Sequence, residues 1–338
     1  VVSLDVDTGD MRTEARGLNV PAAVKFDSNG MLHVLDTAEG KVLKVQDGKL
    51  QTVANLLTGL DNFAFNDKDE IFVSSYADGS ILKIIGDKTE EILPGGISHP
   101  GGLAVYKDSL IVADIQSVRA FNIDDKNQEW VLRNIFRASP LGANTSAAIL
   151  DDNVLLVSWV DNTVKVLEPE SGNIIKSFEG LDIPVSAAKF KDSYAVALHG
   201  NSSISILSED GGLEILSNEF DSPTHVIPYK KGLLVSDRNR GEIIEVSSTG
   251  DTETLVSGLN SPEGIAIIED TIFVYEGDTG EIKSISNNNI SVITRLSAGS
   301  PAASPMQPPS MVFNGLVAHE GYLYATDEMK RSIFKILP

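Results

Sequence analysis

A short motif recurs eight times along the chain and constrains the fold more than any other feature. Its clearest copy is the segment PEGIA at 262–266, followed by IFVYE at 272–276. Successive copies lie 39 to 51 residues apart. A period in this range is typical of repeat architectures, in which each copy forms one unit of structure. The position held by Glu263 recurs at Ala22, Asp61, Gly101, Ser146, Val185, Thr224 and Asn314.

Each repeat has the pattern of four short strands separated by turns. In the sixth repeat, strands are predicted over 224–227, 233–236, 242–246 and 252–256, with Gly- and Asn-containing turns between them. Four strands in about 40 residues are typical of a β-propeller blade. A blade must pack against a neighbour on each face, so the blades have to form a ring. The sequence therefore predicts an all-β protein, a β-propeller of four-stranded blades in a single domain over residues 1–338.

The repeats predict eight blades, with a seven-bladed ring as the alternative. Residues 1–19 align without gaps with 242–260, which are a third and a fourth strand. We therefore expect the N-terminal strands to complete the last blade and close the ring. Both 1–6 and 332–337 resemble a third strand, and only one can take that place. The Pro- and Ser-rich segment 297–310 is predicted as a long loop, either a lid or disordered. The predicted blades begin near residues 21, 60, 100, 145, 184, 223, 262 and 313.

The amino-acid composition limits the classes of partner that the chain can bind and the chemistry that it can perform. The net charge is −21, from 27 basic and 48 acidic residues, which disfavours nucleic acid and anionic membranes. No apolar run approaches the roughly 20 residues of a membrane span, so we expect a soluble monomer. There is no cysteine, which excludes disulfides and thiolate chemistry. Because the chain begins with Val1, we expect a processed extracellular or periplasmic protein, with a cytoplasmic location as the alternative.

The opening residue of each first strand is expected to face the central channel at one mouth. Three of the eight are oxygen ligands of the kind that Ca²⁺ or Mg²⁺ prefers: Glu263, Asn314 and Asp61. Asn62 would replace Asp61 if that strand is shifted by one residue. The alternative is that these side chains are simply the polar groups of a wet channel mouth.

Acidic residues also recur after the second strands, and their recurrence indicates a structural role in turns. The exceptions lie on adjacent blades: Trp159 and His199 are followed by Asp237 with Arg238. His225, next to the opening residue of its blade, is the best-placed general base, with a wall-facing structural histidine as the alternative. We predict three catalytic residues, His225, His199 and Asp237. The predicted substrate-binding residues are Trp159, Arg238, Tyr275 and Tyr76.

The Pro-x-Gly opening of the first strand and the segment SDRNRGEI at 236–243 resemble those of NHL-repeat and streptogramin-lyase propellers. The chain is also similar to the senescence-marker-protein/gluconolactonase, strictosidine-synthase-like and paraoxonase group. The resemblance to the gluconolactonase-like members implies a divalent cation bound by Glu263, Asn314 and Asp61. That group has six blades, whereas this sequence contains eight repeats.

Two functions are predicted. The first is a metal-dependent hydrolase or lyase that acts on a small organic substrate, such as a lactone or ester, at the channel mouth. The second is a non-catalytic scaffold that binds a small molecule, a protein or a glycan on its rim loops. Because propellers carry many activities, the fold alone does not choose between them.

Overall fold

The computed structural model describes residues 1–86, 88–133, 141–286, 289–298 and 313–338. In these residues every regular element is a β-strand, and no helix has the length and hydropathy that crossing a membrane requires. The chain divides into two compact units. The first unit comprises Val1–Ser98 and Arg133–Gly142, and the second comprises His99–Leu132 and Ala143–Pro338.

The first unit contains three antiparallel sheets, and each of them follows chain order. Two strands form a small N-terminal sheet, and the first two repeats each form a sheet of four strands. The strands are β1 (Val2–Leu4) and β2 (Met11–Thr13); β3 (Pro21–Phe26), β4 (Leu32–Asp36), β5 (Lys41–Gln46) and β6 (Lys49–Asn55); β7 (Leu60–Phe65), β8 (Ile71–Ser75), β9 (Ile81–Ile85) and β10 (Lys88–Leu93).

The second unit contains six antiparallel sheets, five of four strands and a last one of three. The strands are β11 (Pro100–Tyr106), β12 (Ser109–Asp114), β13 (Ser117–Asn122) and β14 (Gln128–Arg133); β15 (Ser146–Leu150), β16 (Asn153–Ser158), β17 (Thr163–Glu168) and β18 (Asn173–Phe178); β19 (Pro184–Phe190), β20 (Ser193–Leu198), β21 (Ser203–Leu207) and β22 (Leu213–Ser217); β23 (Pro223–Tyr229), β24 (Gly232–Asp237), β25 (Glu242–Val246) and β26 (Thr252–Val256); β27 (Pro262–Ile268), β28 (Thr271–Glu276), β29 (Glu281–Ser286) and β30 (Asn289–Arg295); β31 (Leu316–His319), β32 (Tyr322–Asp327) and β33 (Ser332–Ile336).

The apolar core lies between neighbouring sheets. Leu155 and Phe178 of one sheet pack against Tyr194 and Val196 of the next, and all four are buried. The second strands are apolar on both faces because each sheet is covered on both sides, whereas outer fourth strands such as Thr252–Val256 contain no fully buried residue. Burial of apolar surface between sheets therefore supplies the main stabilisation.

The last sheet of the second unit packs against its first sheet. Tyr324 shares an apolar cluster with Val112, and strands β31 and β32 both contact β11. The Thr326 hydroxyl donates to the Gly101 carbonyl at 2.9 Å and accepts the Gly315 N–H at 2.7 Å. A methyl group on Gly315 would lie 2.5 Å from the Gly101 oxygen, so the close approach requires glycine. First strands of consecutive sheets also contact one another from β11 to β31, and the six sheets form a closed cycle.

The structure confirms the predicted strands and sheets but not the predicted arrangement of the sheets. The all-β fold built from four-stranded antiparallel sheets is confirmed for seven sheets. The predicted ring of eight needs correction, because the cycle of contacts in the second unit closes over six sheets. The expected joining of the chain ends is wrong: β1 and β2 pair with each other, and β33 occupies the third-strand position beside β32. Of the predicted loop 297–310, all but the first two residues lie outside the described residues.

Replacement of Thr326 tests the closing contact. Thr326→Val keeps the shape of this fully buried side chain but leaves the Gly315 N–H and the Gly101 carbonyl without their partner. We expect it to lose about 1–3 kcal/mol of unfolding free energy. Thr326→Ser, which keeps the hydroxyl, is the matched control. Urea denaturation measures both, and a valine variant at least as stable as the serine variant would contradict this role of the hydroxyl.

Candidate functional site

A channel runs between the first strands of the second unit. All six first strands line a cavity of about 410 Å³. At one end of the strands lies a second, much smaller cavity of about 10 Å³, the space of one water molecule. Glu263 and Asn314 line the small cavity, and His225 lines both. The opening residues of these strands therefore lie together at one end of the channel, as the repeat register predicts.

Glu263 is a fully buried acid at the start of β27. The backbone N–H and side-chain amide of Asn314 both donate to its Oε2 at 2.9 Å. The Arg238 Nε lies 3.6 Å from its Oε1. Gly277 makes room for this carboxyl, since a methyl group there would lie 2.2 Å from Oε1. Burial raises the pKa of Glu263, and the Asn314 hydrogen bonds and the Arg238 charge oppose that increase.

His225 links the small cavity to the channel. The backbone N–H of Ile265, on the neighbouring first strand, donates to its Nδ1 at 2.9 Å. Nδ1 is therefore an acceptor, and the neutral ring carries its proton on Nε2. Loss of hydration in the channel wall lowers the pKa of His225 to about 4. At neutral pH this histidine can donate a hydrogen bond from Nε2, but protonation of Nδ1 would break its bond to Ile265.

Arg238 connects Glu263 with a second histidine. Its Nη2 donates to Asp278 at 3.0 Å, and its backbone N–H donates to the Ser222 carbonyl. The Ser222 hydroxyl lies 3.4 Å from Nδ1 of His199. Burial, aided by the Arg238 charge and opposed by Asp182, lowers the pKa of His199. Two neutral histidines and a buried ion pair therefore lie at the same end of adjacent sheets.

The other predicted residues of the second unit have structural contacts. Asp237 accepts the backbone N–H groups of Asp221, Ser222 and Arg240, which ties the loop before β23 to the end of β24. Asp36, Asp114, Glu276 and Asp327 bind the corresponding loops of their own repeats. This geometry gives the recurrent acid a role in loop anchoring, and the catalytic assignment of Asp237 stays a prediction.

Of the two predicted aromatic residues of the second unit, one packs against its apolar core and the other lies within it. Trp159 is half-buried and packs against the core between the β19–β22 and β23–β26 sheets. The fully buried Tyr275 donates its hydroxyl to the Ser297 carbonyl at 3.2 Å. Burial, together with the charges of Asp327 and Glu263, raises the pKa of Tyr275. Contact of either ring with a substrate stays a prediction.

Three predicted residues belong to the first unit: Asp61, Asn62 and Tyr76. Asp61 and Asn62 are exposed in β7, and the Asn62 side chain accepts its neighbour's backbone N–H. Tyr76 is half-buried just after β8. The structure therefore brings Glu263 and Asn314 together in the second unit, whereas Asp61 belongs to the first unit.

The donor set around Glu263 fits a resident divalent cation poorly. Its oxygens face two N–H donors of Asn314 and the Arg238 guanidinium, which occupy the directions a cation would need. Within the described ranges, no group of three or more His, Asp or Glu residues could hold a metal ion. The predicted Ca²⁺ or Mg²⁺ site therefore remains a prediction.

Sequence reasoning missed two residues of this site. Asp278 anchors the outer side of the Arg238 guanidinium, and Gly277 admits the Glu263 carboxyl. The segment Glu276–Asp278 did contain a signal, because glycine follows the recurrent acid in this repeat but not in the sixth. Only the folded chain shows that this glycine faces the carboxyl.

No protein-family model matches the chain, and the search of curated proteins finds no match. Among solved structures, a protein of unknown function from Bacteroides thetaiotaomicron is similar over 99% of this chain and 98% of that chain, with 11% identity and a TM-score of 0.58. What is shared is the fold. Virginiamycin B lyase from Staphylococcus aureus is 16% identical over 75% of this chain and 91% of that chain, with a TM-score of 0.45. A streptogramin B lyase is 12% identical over 75% and 89%, also with a TM-score of 0.45.

Removal of the His225 ring tests its lowered pKa. In the unfolded chain His225 takes up a proton below its ordinary pKa of 6.5, whereas in the folded chain it does so only near pH 4. The stability contributed by neutral His225 is therefore complete above pH 6.5 and is lost as the pH falls to about 4. His225→Asn, whose Oδ1 can still accept the Ile265 N–H, should flatten this part of the pH profile.

The profile is measured by urea denaturation at several pH values between 4 and 7 in roughly half-unit steps. His319→Asn, at another channel-lining histidine, is the control. Equal slopes for the wild type and His225→Asn would contradict a lowered pKa.

Proposed function

We propose that the second unit is a hydrolase or lyase for a small organic substrate of the lactone or ester type, which binds where Arg238, His199 and Glu263 meet. The observation that carries the proposal is the buried Glu263–Arg238 pair beside two histidines whose pKa values are both lowered. Titratable groups with perturbed pKa values concentrate at functional sites.

Each side chain can perform one part of acid–base chemistry. His199 is half-buried and neutral, and its ring can take a proton from a substrate or a water molecule. Arg238, held by Glu263 and Asp278, can stabilise negative charge that develops on a carbonyl oxygen. His225 can donate from Nε2 to a group that enters the channel end. Glu263 fixes Arg238 and thereby acts as a positioning residue.

One observation favours the non-catalytic alternative. The cavity beside Glu263 holds about 10 Å³, so a substrate cannot reach the carboxyl without movement of the wall. In that case the Glu263–Asn314 contact is structural, and the rim would carry a small molecule, protein or glycan. A divalent cation at Glu263 and Asn314 would similarly have to displace the N–H donors.

The enzyme proposal is tested with a panel of simple lactones and with 4-nitrophenyl acetate. We expect turnover above the buffer rate, and Arg238→Met or His199→Gln should lower kcat/KM at least about tenfold, in the range of general acid–base or charge stabilisation. Arg240→Met is the matched control, because Arg240 lies two residues away and pairs with Glu242. Absence of turnover on every compound would reject the enzyme and favour the scaffold.

The cation is tested separately by thermal unfolding with EDTA and with added CaCl₂ or MgCl₂. Since Oε2 of Glu263 already accepts two N–H groups and Oε1 faces the Arg238 charge, we expect no change in Tm. A cation bound only by the folded state would raise Tm in a concentration-dependent way. A rise that Glu263→Gln abolishes would establish the cation at this position and overturn the expectation.

A further inference from the structure

The far end of the channel differs chemically from the end that holds Glu263. Lys189 and His319 lie four and five positions beyond the opening residues of their strands, whereas His225 lies one position beyond its own. At about 3.3 Å per strand residue, Lys189 and His319 are roughly 10–13 Å further along the channel than His225. The channel therefore has His225 at one end, and at the other end it has Lys189 on β19 and His319 on β31, on opposite sides of the cycle of six sheets.

The residues that line the channel have an unusual composition for this chain. Of the 19 described lining residues, 16 are Ala, Val, Leu, Ile or Pro, and the other three are Lys189, His225 and His319. No acidic residue is among these 19, although the chain has 48 acidic and 27 basic residues. A cation entering this space would find no counter-charge, and a strongly polar ligand would find few partners. The lining suits an apolar body with a single negative charge.

We propose that the channel binds a monocarboxylate with an unbranched apolar tail, with the carboxylate at Lys189 and His319 and the tail directed towards His225. The cavity volume of about 410 Å³ lies in the range that small-molecule sites occupy. Burial of the tail against the apolar strands supplies affinity, and the lysine ammonium selects the anionic head. This site shares His225 with the proposed reaction site but involves neither Arg238 nor His199.

The existing contacts of Lys189 permit this role. Its Nζ pairs with Asp151, and the two side chains are 41% and 66% exposed. Pairs this exposed contribute little stability, so a ligand carboxylate can replace Asp151. Outside the channel, Lys189 also borders a surface groove whose other charged groups are Asp151, Lys176, Lys191, Asp192 and Glu209. Because three of these are acidic, the carboxylate is better placed inside the mouth than in the groove.

Calorimetric titration of the full chain with octanoate, 1-octanol and acetate, each below its aggregation concentration, tests the proposal. We expect octanoate to bind at least tenfold more tightly than 1-octanol, and acetate not to bind measurably. The double variant Lys189→Met/His319→Gln should weaken octanoate at least tenfold and leave 1-octanol unchanged. Lys191→Met, a neighbouring lysine that lines the groove but not the channel, should behave as the wild type.

A second variant tests whether the apolar tail of the ligand lies in the channel. Ile149, a half-buried channel residue, can be replaced by Trp to fill the cavity while both cationic groups remain. Ile149→Trp should abolish octanoate binding. The proposal is overturned by absence of octanoate binding, by equal affinity for octanoate and 1-octanol, or by unchanged octanoate affinity in either the double variant or Ile149→Trp. Thermal unfolding of each variant establishes that it is folded.

Discussion

The contact between the last and first sheets of the second unit is the interaction on which its architecture depends. Each sheet there has two apolar faces, and neither can be left in water. A linear array would expose one face at each end, whereas a cycle exposes none. Thr326 and the glycines at 101 and 315 bring the two ends of the array together. The channel, its small cavity and the position of Glu263 all follow from this closure, because each is built from first strands of separate sheets.

Burial of Glu263 has consequences for the groups around it. A carboxyl removed from water needs compensation, and two other segments supply it: Asn314 donates two hydrogen bonds and Arg238 brings a positive charge. Burial keeps His199 neutral with the help of the Arg238 charge, and burial in the channel wall keeps His225 neutral. The Glu263 carboxylate therefore pairs with Arg238, and the Arg238 charge in turn contributes to the lowered pKa of His199. This arrangement of an ion pair and neutral histidines is the physical basis for proposing a reaction site at this end of the channel.

The two ends of the channel are separated by apolar strands. One end carries a buried acid with neutral histidines, and the other carries Lys189 and His319. The separation follows from the repeat itself, because equivalent positions of all first strands lie at equivalent depths. A ligand charged at one end is thus kept away from Glu263, and the two sites can be tested independently.

The sequence by itself determined the strands, the grouping of most of them into seven four-stranded sheets and the position of each first strand. These features depend on local alternation and turn residues, which every repeat carries, and β23–β26 follows the predicted pattern closely. It also placed Glu263 and Asn314 at one channel mouth. The tertiary structure alone decided that six sheets close a cycle and that Asp61 lies in the other compact unit. The physical reason is that pairing within a sheet is encoded locally, whereas packing between sheets uses similar apolar faces in every repeat. Which two sheets close the cycle depends on single contacts, such as that of Thr326 with Gly101, and a periodic sequence pattern does not reveal such contacts.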